Sequence, residues 1–104
     1  MTSFLVFRDL PGVTRDQYAA AQRAAADAAR RATADGCYVT YDGGFLLPAT
    51  GQAICIFHAR SAADVTTVNE IAGVPAANVT EAIDMRAATQ AIPIIRSACS
   101  QAAL

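Results

Sequence analysis

The sequence predicts an α+β fold with the element order βαββαβ. Short apolar and β-branched runs bounded by turn residues indicate four strands, and two stretches with apolar residues at helical spacing indicate helices. Of the 104 residues, 54% are hydrophobic and 16% are charged, a composition typical of a packed globule. We therefore expect one domain over residues 1–104, with a ferredoxin-like core at 3–85 and a C-terminal tail at 86–104.

The first strand and the first helix have recognisable ends. The run Ser3–Asp9 is rich in aromatic and β-branched residues and stops at Leu10-Pro11-Gly12. Thr14 and Gln17 form a capping box, which starts a helix over Thr14–Gly36. The predicted inward stripe of this helix consists of Tyr18, Ala21, Ala25, Ala28 and Ala32.

The segment that follows predicts a hairpin with its turn at Pro48–Gly51 and with Gly43-Gly44 as a bulge or an early break. Direct pairing across this turn puts Tyr41 opposite His58. A tighter turn puts Cys37 opposite His58. Either register places these side chains on the His58 face of the sheet, and a bulge at Gly43-Gly44 would reverse that.

A second helix and a fourth strand complete the pattern. Ser61 and Asp64 form another capping box, and Gly73 ends the helix. Its predicted inward residues are Val65, Val68 and either Ile71 or Ala72. The run Asn78–Met85 is the fourth strand, in which Glu81 shares a face with apolar residues.

Two interleaved βαβ units of this order form a ferredoxin-like split-βαβ sandwich. We expect a four-stranded antiparallel sheet in the order 4-1-3-2, with two helices on one face. The third strand is apolar on both sides, so the second face also needs a cover. A partner subunit, the C-terminal tail or a ligand could provide it, and the low charge content favours an oligomer.

Charge and cysteine content exclude several classes of protein. The formal net charge is −1, and the eight basic residues are arginines spread along the chain, so the basic patch of a nucleic-acid-binding protein is absent. The apolar run Phe4–Phe7 is too short for a signal peptide or a membrane span. Three cysteines without a CxxC pair indicate reduced thiols. We expect a cytoplasmic protein that binds neither nucleic acid nor membranes.

Three stretches have a recognisable pattern: the strand followed by Leu10-Pro11-Gly12, the strand that contains Cys55, and the Asn-Glu-x-Ala-Gly-x-Pro stretch Asn69–Pro75. Together they resemble a small bacterial ferredoxin-like family of unknown function, some members of which are described as nickel-binding. The resemblance covers Phe4–Met85. It implies a dimeric α+β sandwich or barrel, with nickel or another transition metal as the implied cofactor. The metal-binding members are histidine-rich near the end of the second helix, where this chain has no histidine.

His58, the only histidine, is the first candidate site residue. With Tyr41 or Cys37 beside it, we expect it to line a ligand pocket on the second sheet face, as a general base or as a metal ligand. The alternative is a histidine at a strand end whose ring meets water or a backbone carbonyl. That alternative is favoured, because a metal site needs three or four placed ligands.

Arg8 and Glu81 form the second candidate pair. In the predicted strand order, the fourth strand runs antiparallel to the first, which brings the end of one near the start of the other. A buried arginine-carboxylate pair could anchor an acidic ligand, and the alternative is a structural ion pair. No GxSxG, HExxH, GxGxxG or phosphate-loop motif occurs, so hydrolase, metalloprotease and nucleotide-binding functions have no support.

Three functional hypotheses follow. The first is a homodimer that binds a small molecule or a metal ion between sheet and partner, without established catalysis. The second is a cofactor-independent oxygenase or isomerase of the dimeric α+β-barrel type with His58 as the base, which rests on analogy of fold. The third is a structural module whose tail docks another protein through the apolar stretch Ala91–Cys99.

Overall fold

The computed structural model describes residues 1–74 and 76–86, and these contain the six predicted elements in the predicted order. The strands are β1 (Thr2–Asp9), β2 (Val39–Leu47), β3 (Gln52–Ala59) and β4 (Asn78–Ala82), and the helices are α1 (Arg15–Ala34) and α2 (Ala62–Ala72). The strands form one antiparallel sheet in the order β2-β3-β1-β4. This confirms the ferredoxin-like α+β fold. Beyond Arg86, the predicted tail lies outside the described residues.

Both helices begin at the predicted capping residues. The Thr14 hydroxyl accepts from the backbone N–H of Gln17 at 3.1 Å, and the Gln17 side chain accepts from Thr14 N–H at 2.9 Å. Ser61 accepts from the N–H at the third position of α2. Gly73 ends α2 with a φ of 69°, in the left-handed region that favours glycine. Local interactions therefore set the limits of both helices.

The two helices pack on one face of the sheet, which we name the covered face. The stripe of α1 is confirmed except that Ala29 is buried and Ala21 is only half-buried. Val65 and Val68 of α2 are buried as predicted, together with Asn69, whereas Ile71 is 48% exposed. The strands contribute Phe4, Val6, Val39, Ala53, Cys55, Phe57 and Ala59 to this core. In the described part of the chain, no helix is long and apolar enough to span a membrane.

The opposite face, which we name the open face, has no helix of the described chain packed on it. Its central side chains are Ser3, Leu5 and Phe7 of β1, Ile54, Ile56 and His58 of β3, and Phe45 and Leu47 of β2. Phe45 is 65% exposed, Phe7 37% and Leu47 36%. The face is thus apolar along most of its length, and exposed apolar patches of this kind usually mark contact surfaces.

A β-bulge in β2 places Tyr41 on the sheet face opposite to the predicted one. The hairpin turn is as predicted, but the register shifts between Tyr41 and Gly44, so Tyr41 pairs with Phe57 and not with His58. Tyr41 therefore lies on the covered face, with its ring centroid 5.2 Å from that of Phe57. Gly44 allows this arrangement, because a Cβ there would collide with the carbonyl oxygen of Ile54. The bulge considered at Gly43-Gly44 is therefore the arrangement that forms.

β4 is shorter than predicted. It ends at Ala82 and not at Met85. Ala82 pairs with Ser3, close to the start of β1, so the neighbouring strand has almost no further residues to offer. The following residues leave the sheet because their backbone groups have no strand to pair with.

Candidate functional site

Polar side chains gather at one end of the open face, around His58. Ser3 and His58 are cross-strand neighbours, and Ser3 Oγ lies 3.0 Å from His58 Nδ1. On the other side of the ring, Nε2 lies 3.0 Å from Asp42 Oδ2. The His58 side chain is 26% exposed and that of Asp42 is 44% exposed. These residues form the Ser3–His58–Asp42 chain, which is ordered by hydrogen bonds and still accessible to solvent.

Arg86 borders this polar end. Its side chain donates to Asp42 Oδ2 at 3.0 Å and to the two carboxylate oxygens of Asp84 at 2.6 and 2.9 Å. Hydrogen bonds from His58, and then from Arg86, lower the pKa of Asp42. The hydrogen bonds from Arg86 hold the pKa of Asp84 well below its usual range. Both carboxyl groups are therefore charged at neutral pH.

A pocket of about 220 Å³ lies between the open face and the residues after β4. Leu5 and Ile56 belong to its apolar lining, Ser3 contributes a hydroxyl, and residues 82–86 line the other side. This volume is below the range of roughly 300–1,000 Å³ that is usual for pockets that bind drug-sized ligands. The pocket therefore suits a small molecule or a hydrated ion.

The chemistry available at the polar end is that of an imidazole held by a carboxylate. Such a ring can accept or donate a proton, and the carboxylate orients it. It can also supply a nitrogen ligand beside the oxygen ligand of Asp42. Among the described residues, no group of three or more His, Cys, Asp and Glu side chains is arranged to hold a metal ion. The described residues of one chain thus contribute two donors, His58 and Asp42, and not a complete coordination shell.

Arg8, a predicted ligand anchor, lies on the covered face and is 2% exposed. Its Nε donates to Cys55 Sγ at 3.5 Å and its Nη1 to the carbonyl of Val74 at 3.3 Å. Its Nη2 donates to Asn69 Oδ1, and the Asn69 amide donates to the carbonyl of Val65 at 2.8 Å. Arg8 therefore ties α2 and the segment after it to β1.

The predicted pair of Arg8 with Glu81 does not form. Glu81 is opposite Phe4 in the β1–β4 register, four positions from Arg8, which corresponds to about 13 Å along a strand. The prediction brought the end of β1 near the start of β4, which is correct, but Glu81 lies towards the end of β4. It is also exposed, whereas Arg8 points into the interior.

Tyr41 and Cys37 also lie away from His58. The Tyr41 hydroxyl is buried without a hydrogen-bond partner among the described residues. Burial, and then the neighbouring Cys55, raises the pKa of Tyr41 to about 12. Burial and a hydrogen bond with Asp64 raise the pKa of the Cys37 thiol. Of the five predicted site residues, His58 alone belongs to the polar end.

Sequence reasoning missed Ser3 and Arg86 and did not connect Asp42 with His58. The sequence does indicate the position of Ser3, since strand alternation puts it on the same side as Leu5, away from the core. Asp42 lies within β2 between Tyr41 and Gly44, where the register shifts, so its position depends on the bulge. Nothing local identifies Arg86, because its partner Asp42 lies 44 positions earlier in the chain.

A larger cavity, of about 560 Å³, lies between the end of α2 and β4. Asn69, the partner of Arg8, lines it, and Glu70 is the one titratable residue among the described residues of its lining. It is larger than the pocket beside Ser3 but brings fewer reactive groups together. The polar end of the open face is therefore the better candidate site.

Comparison with known proteins agrees with the fold and with the predicted resemblance. The family described as "Nickel responsive protein SCO4226-like" matches residues 4–82. A similar solved structure is the crystal structure of SCO4226 from Streptomyces coelicolor A3(2), with 28% sequence identity and a TM-score of 0.64. That match covers 77% of this chain and 94% of that chain. The search of curated proteins finds no match. Since the family match spans most of the sequence, the chain belongs to the SCO4226-like family of nickel responsive proteins.

Proposed function

We propose that this chain is a non-catalytic binding protein that works as a homodimer and takes up a metal ion or a small polar molecule at the polar end of its open face. The observation that carries the proposal is an apolar sheet face on which no described helix packs and which ends in the only histidine, held at both ring nitrogens. The description of the family as nickel responsive makes nickel the first ion to test. We further propose a cytoplasmic location, since Cys37 and Cys55 are free thiols, as is usual in reducing compartments.

A second copy is the cover that we propose for the apolar end of the open face. Phe45 pairs with Ile54, and Ile54 with Phe7, so these side chains form one row across three strands. In a two-fold dimer the same patch is buried on both copies. The net charge of −1 brings little repulsion between copies.

Light scattering at micromolar concentration tests the dimer. We expect the mass of two chains for the parent and the mass of one chain for Phe45→Glu, because a buried charge at the centre of a contact raises the dissociation constant by about 100-fold. Ile71→Glu is the matched control, since Ile71 is 48% exposed on α2, on the opposite side of the sheet. The mass of one chain for the parent would overturn the homodimer.

The donors at the polar end fit an open, exchangeable metal site better than a closed one. An imidazole nitrogen and a carboxylate oxygen suit divalent transition-metal ions, and His58 and Asp42 already approach each other within 3.0 Å. A closed site needs about four protein ligands, more than the described residues of one chain bring together. We therefore expect weak binding, with water completing the coordination of the ion.

Calorimetric titration of the untagged protein with nickel chloride tests this site. We expect saturable binding by the parent, no binding by His58→Ala, and binding about tenfold weaker by Asp42→Asn. Asp9→Asn is the matched control, because Asp9 is an exposed carboxylate at the other end of β1. No binding by the parent, or unchanged binding by His58→Ala, would contradict a metal site at His58.

The Ser3–His58–Asp42 chain favours a second candidate, a cofactor-independent enzyme in which His58 abstracts a proton while Asp42 holds the ring. It ranks below binding because the adjacent pocket, at about 220 Å³, is small for an aromatic substrate. Oxygen uptake with an anthrone as the probe substrate tests it. Uptake by the parent that His58→Ala abolishes would support the enzyme, and no uptake by the parent would count against it.

A further inference from the structure

We propose that the guanidinium of Arg86 occupies the position of a divalent metal ion at the polar end of the open face. An ion then binds there only by displacing Arg86, and it gains Asp84 as a third protein ligand. This inference rests on the proposed metal site at His58 and adds an internal competitor and a further ligand to it. Three features carry it: the contacts of one guanidinium nitrogen, the solvent exposure of its ion pairs, and the chemistry of the donors.

A single nitrogen of Arg86 bridges two carboxylates. Its Nη2 donates to Asp42 Oδ2 at 3.0 Å and to Asp84 Oδ2 at 2.6 Å. The same oxygen of Asp42 lies 3.0 Å from His58 Nε2. One cationic atom is thus in contact with two carboxylate oxygens, and the imidazole is bonded to one of them. A metal ion that bridges these carboxylates takes the same position, so the ion and the guanidinium exclude each other.

The guanidinium also accounts for the lack of a three-ligand metal group among the described residues. Arg86 Nε donates to Asp84 Oδ1 at 2.9 Å, so Arg86 holds both oxygens of this carboxylate in a bidentate contact. Both oxygens of Asp84 are therefore engaged by Arg86 in the absence of an ion. Displacement of the guanidinium releases them beside the donors of His58 and Asp42.

The ion pairs of Arg86 are exposed, and this makes the exchange possible. The side chain of Arg86 is 63% exposed, that of Asp42 44% and that of Asp84 35%. Ion pairs at such exposure contribute little to stability, because water and salt screen them. Arg8 differs in this respect, since it is 2% exposed and loss of its contacts leaves buried polar groups unpaired. Arg86 can therefore leave its partners at a cost that the binding of an ion offsets.

The donors that surround the guanidinium suit a divalent transition-metal ion. An imidazole nitrogen and two carboxylate oxygens are ligands of such ions, and three protein ligands with water in the remaining positions form an open metal site. An arginine side chain keeps its charge in proteins, so Arg86 competes with the ion at every physiological pH. The apparent affinity is then lowered by the fraction of chains in which the site is free. Arg86 therefore raises the ion concentration at which the site fills.

Calorimetric titration with nickel chloride tests the competition. We expect Arg86→Gln to bind nickel about tenfold more tightly than the parent, because the competitor that engages two carboxylates is gone. Arg30→Gln is the matched control, since Arg30 forms an exposed ion pair with Asp27 on α1 and its replacement changes the net charge equally. The control should bind as the parent does. An equal gain in both variants would show a general charge effect and would overturn the proposal.

A second substitution tests Asp84 as the third ligand. When Asp84→Asn is added to Arg86→Gln, we expect the tenfold gain to be lost, because a neutral amide replaces the released carboxylate. Glu81→Gln added to Arg86→Gln is the matched control, since Glu81 is an exposed carboxylate on β4 and its replacement removes the same charge. This control should keep the gain. A gain that survives Asp84→Asn would overturn the role of Asp84.

The same titrations separate this inference from the proposed function. Nickel binding by the parent that Arg86→Gln leaves unchanged or weakens would overturn the inference, and the metal site at His58 would stand. Binding by Arg86→Gln alone would support the competition and contradict metal uptake by the parent. Absence of binding by both proteins would overturn both proposals.

Proton–nitrogen NMR of the arginine side chains observes the displacement directly, with zinc chloride as a diamagnetic probe. In the free protein, the bond from Arg86 Nε to Asp84 should slow the exchange of this proton with water. Zinc should shift the Arg86 Nε–H signal and speed its exchange. The Nε–H signal of buried Arg8, which is bonded to Cys55, should not change. An Arg86 signal that stays the same at the highest zinc concentration would contradict displacement.

Discussion

The two faces of the sheet each hold one basic side chain of β1 or β3 among polar partners, and they differ in burial. On the covered face, Arg8 is 2% exposed and donates to Asn69 and Cys55. On the open face, His58 is 26% exposed and lies against the exposed carboxylate of Asp42. Burial makes the first group essential for folding, whereas solvent access leaves the second available to a ligand. The difference shows that burial, more than residue type, separates the polar group that holds the elements together from the one that we propose as a ligand site.

Arg8→Ala should have the largest effect on stability. It leaves Asn69 Oδ1 and the Val74 carbonyl without their donor, and we expect a loss of about 3 kcal/mol in the free energy of unfolding. Urea denaturation measures it. Arg15→Ala, at the exposed start of α1, is the matched control and should cost less than about 0.5 kcal/mol. Equal losses would contradict the structural role assigned to Arg8.

Gly44→Ala should come next, because Gly44 decides which face Tyr41 occupies. A Cβ at this position would press on Ile54 and on the Tyr18 hydroxyl, and overpacking of this type costs about 2 kcal/mol. Gly43→Ala is the control: Gly43 has a φ of 81° but no atom within 4 Å of the added Cβ. We expect Gly43→Ala to lose about 1 kcal/mol in the free energy of unfolding, from backbone strain alone. A smaller loss at Gly44 than at Gly43 would argue against the bulge.

Tyr41→Phe should change the pH dependence of stability. Burial raises the pKa of Tyr41 to about 12, above its ordinary value of about 10. The neutral Tyr41 hydroxyl therefore makes its full contribution to the free energy of unfolding below about pH 10. That contribution is lost between about pH 10 and 12, because Tyr41 ionises first in the unfolded chain. The variant should lose less stability over this range. Tyr38→Phe, at a position 44% exposed, should follow the parent in urea denaturation at each pH.

At pH 7 the same Tyr41→Phe variant should be as stable as the parent or slightly more stable. The reason is that the Tyr41 hydroxyl is buried without a hydrogen-bond partner among the described residues, and removal of such a group costs nothing. A marked loss at pH 7 would show that the hydroxyl has a structural role.

The smallest effect is expected for His58→Ala on the folding of the chain. The hydrogen bond from His58 is the largest cause that lowers the pKa of Asp42, so the variant should raise that pKa towards its ordinary value. The stabilising contribution of Asp42 is present above pH 4 and is lost as the pH falls through its lowered pKa. Carbon-13 NMR of the carboxyl groups measures the shift. The titration of Asp27, whose pKa is lowered by Arg31, should not change.

Much of the fold could be predicted from the sequence, and less of the site. The capping box at Thr14, the stop at Gly73 and the turn at Pro48–Gly51 were each correct, because residues within a few positions of one another determine them. His58 was correctly placed on the face away from the helices. The partners predicted for His58 were wrong. Tyr41 lies beyond a bulge, and the effect of that bulge on the register cannot be read from the local sequence pattern.

The sequence by itself determined the order, the type and the approximate limits of the six elements. Capping hydrogen bonds, glycine conformations and strand alternation act over short stretches and leave a local pattern. Only the tertiary structure decided that Arg8 meets Asn69 and that Asp42 meets His58 and Arg86. These contacts join segments far apart in the chain, and their geometry depends on how closely the backbone at Gly44 can approach β3.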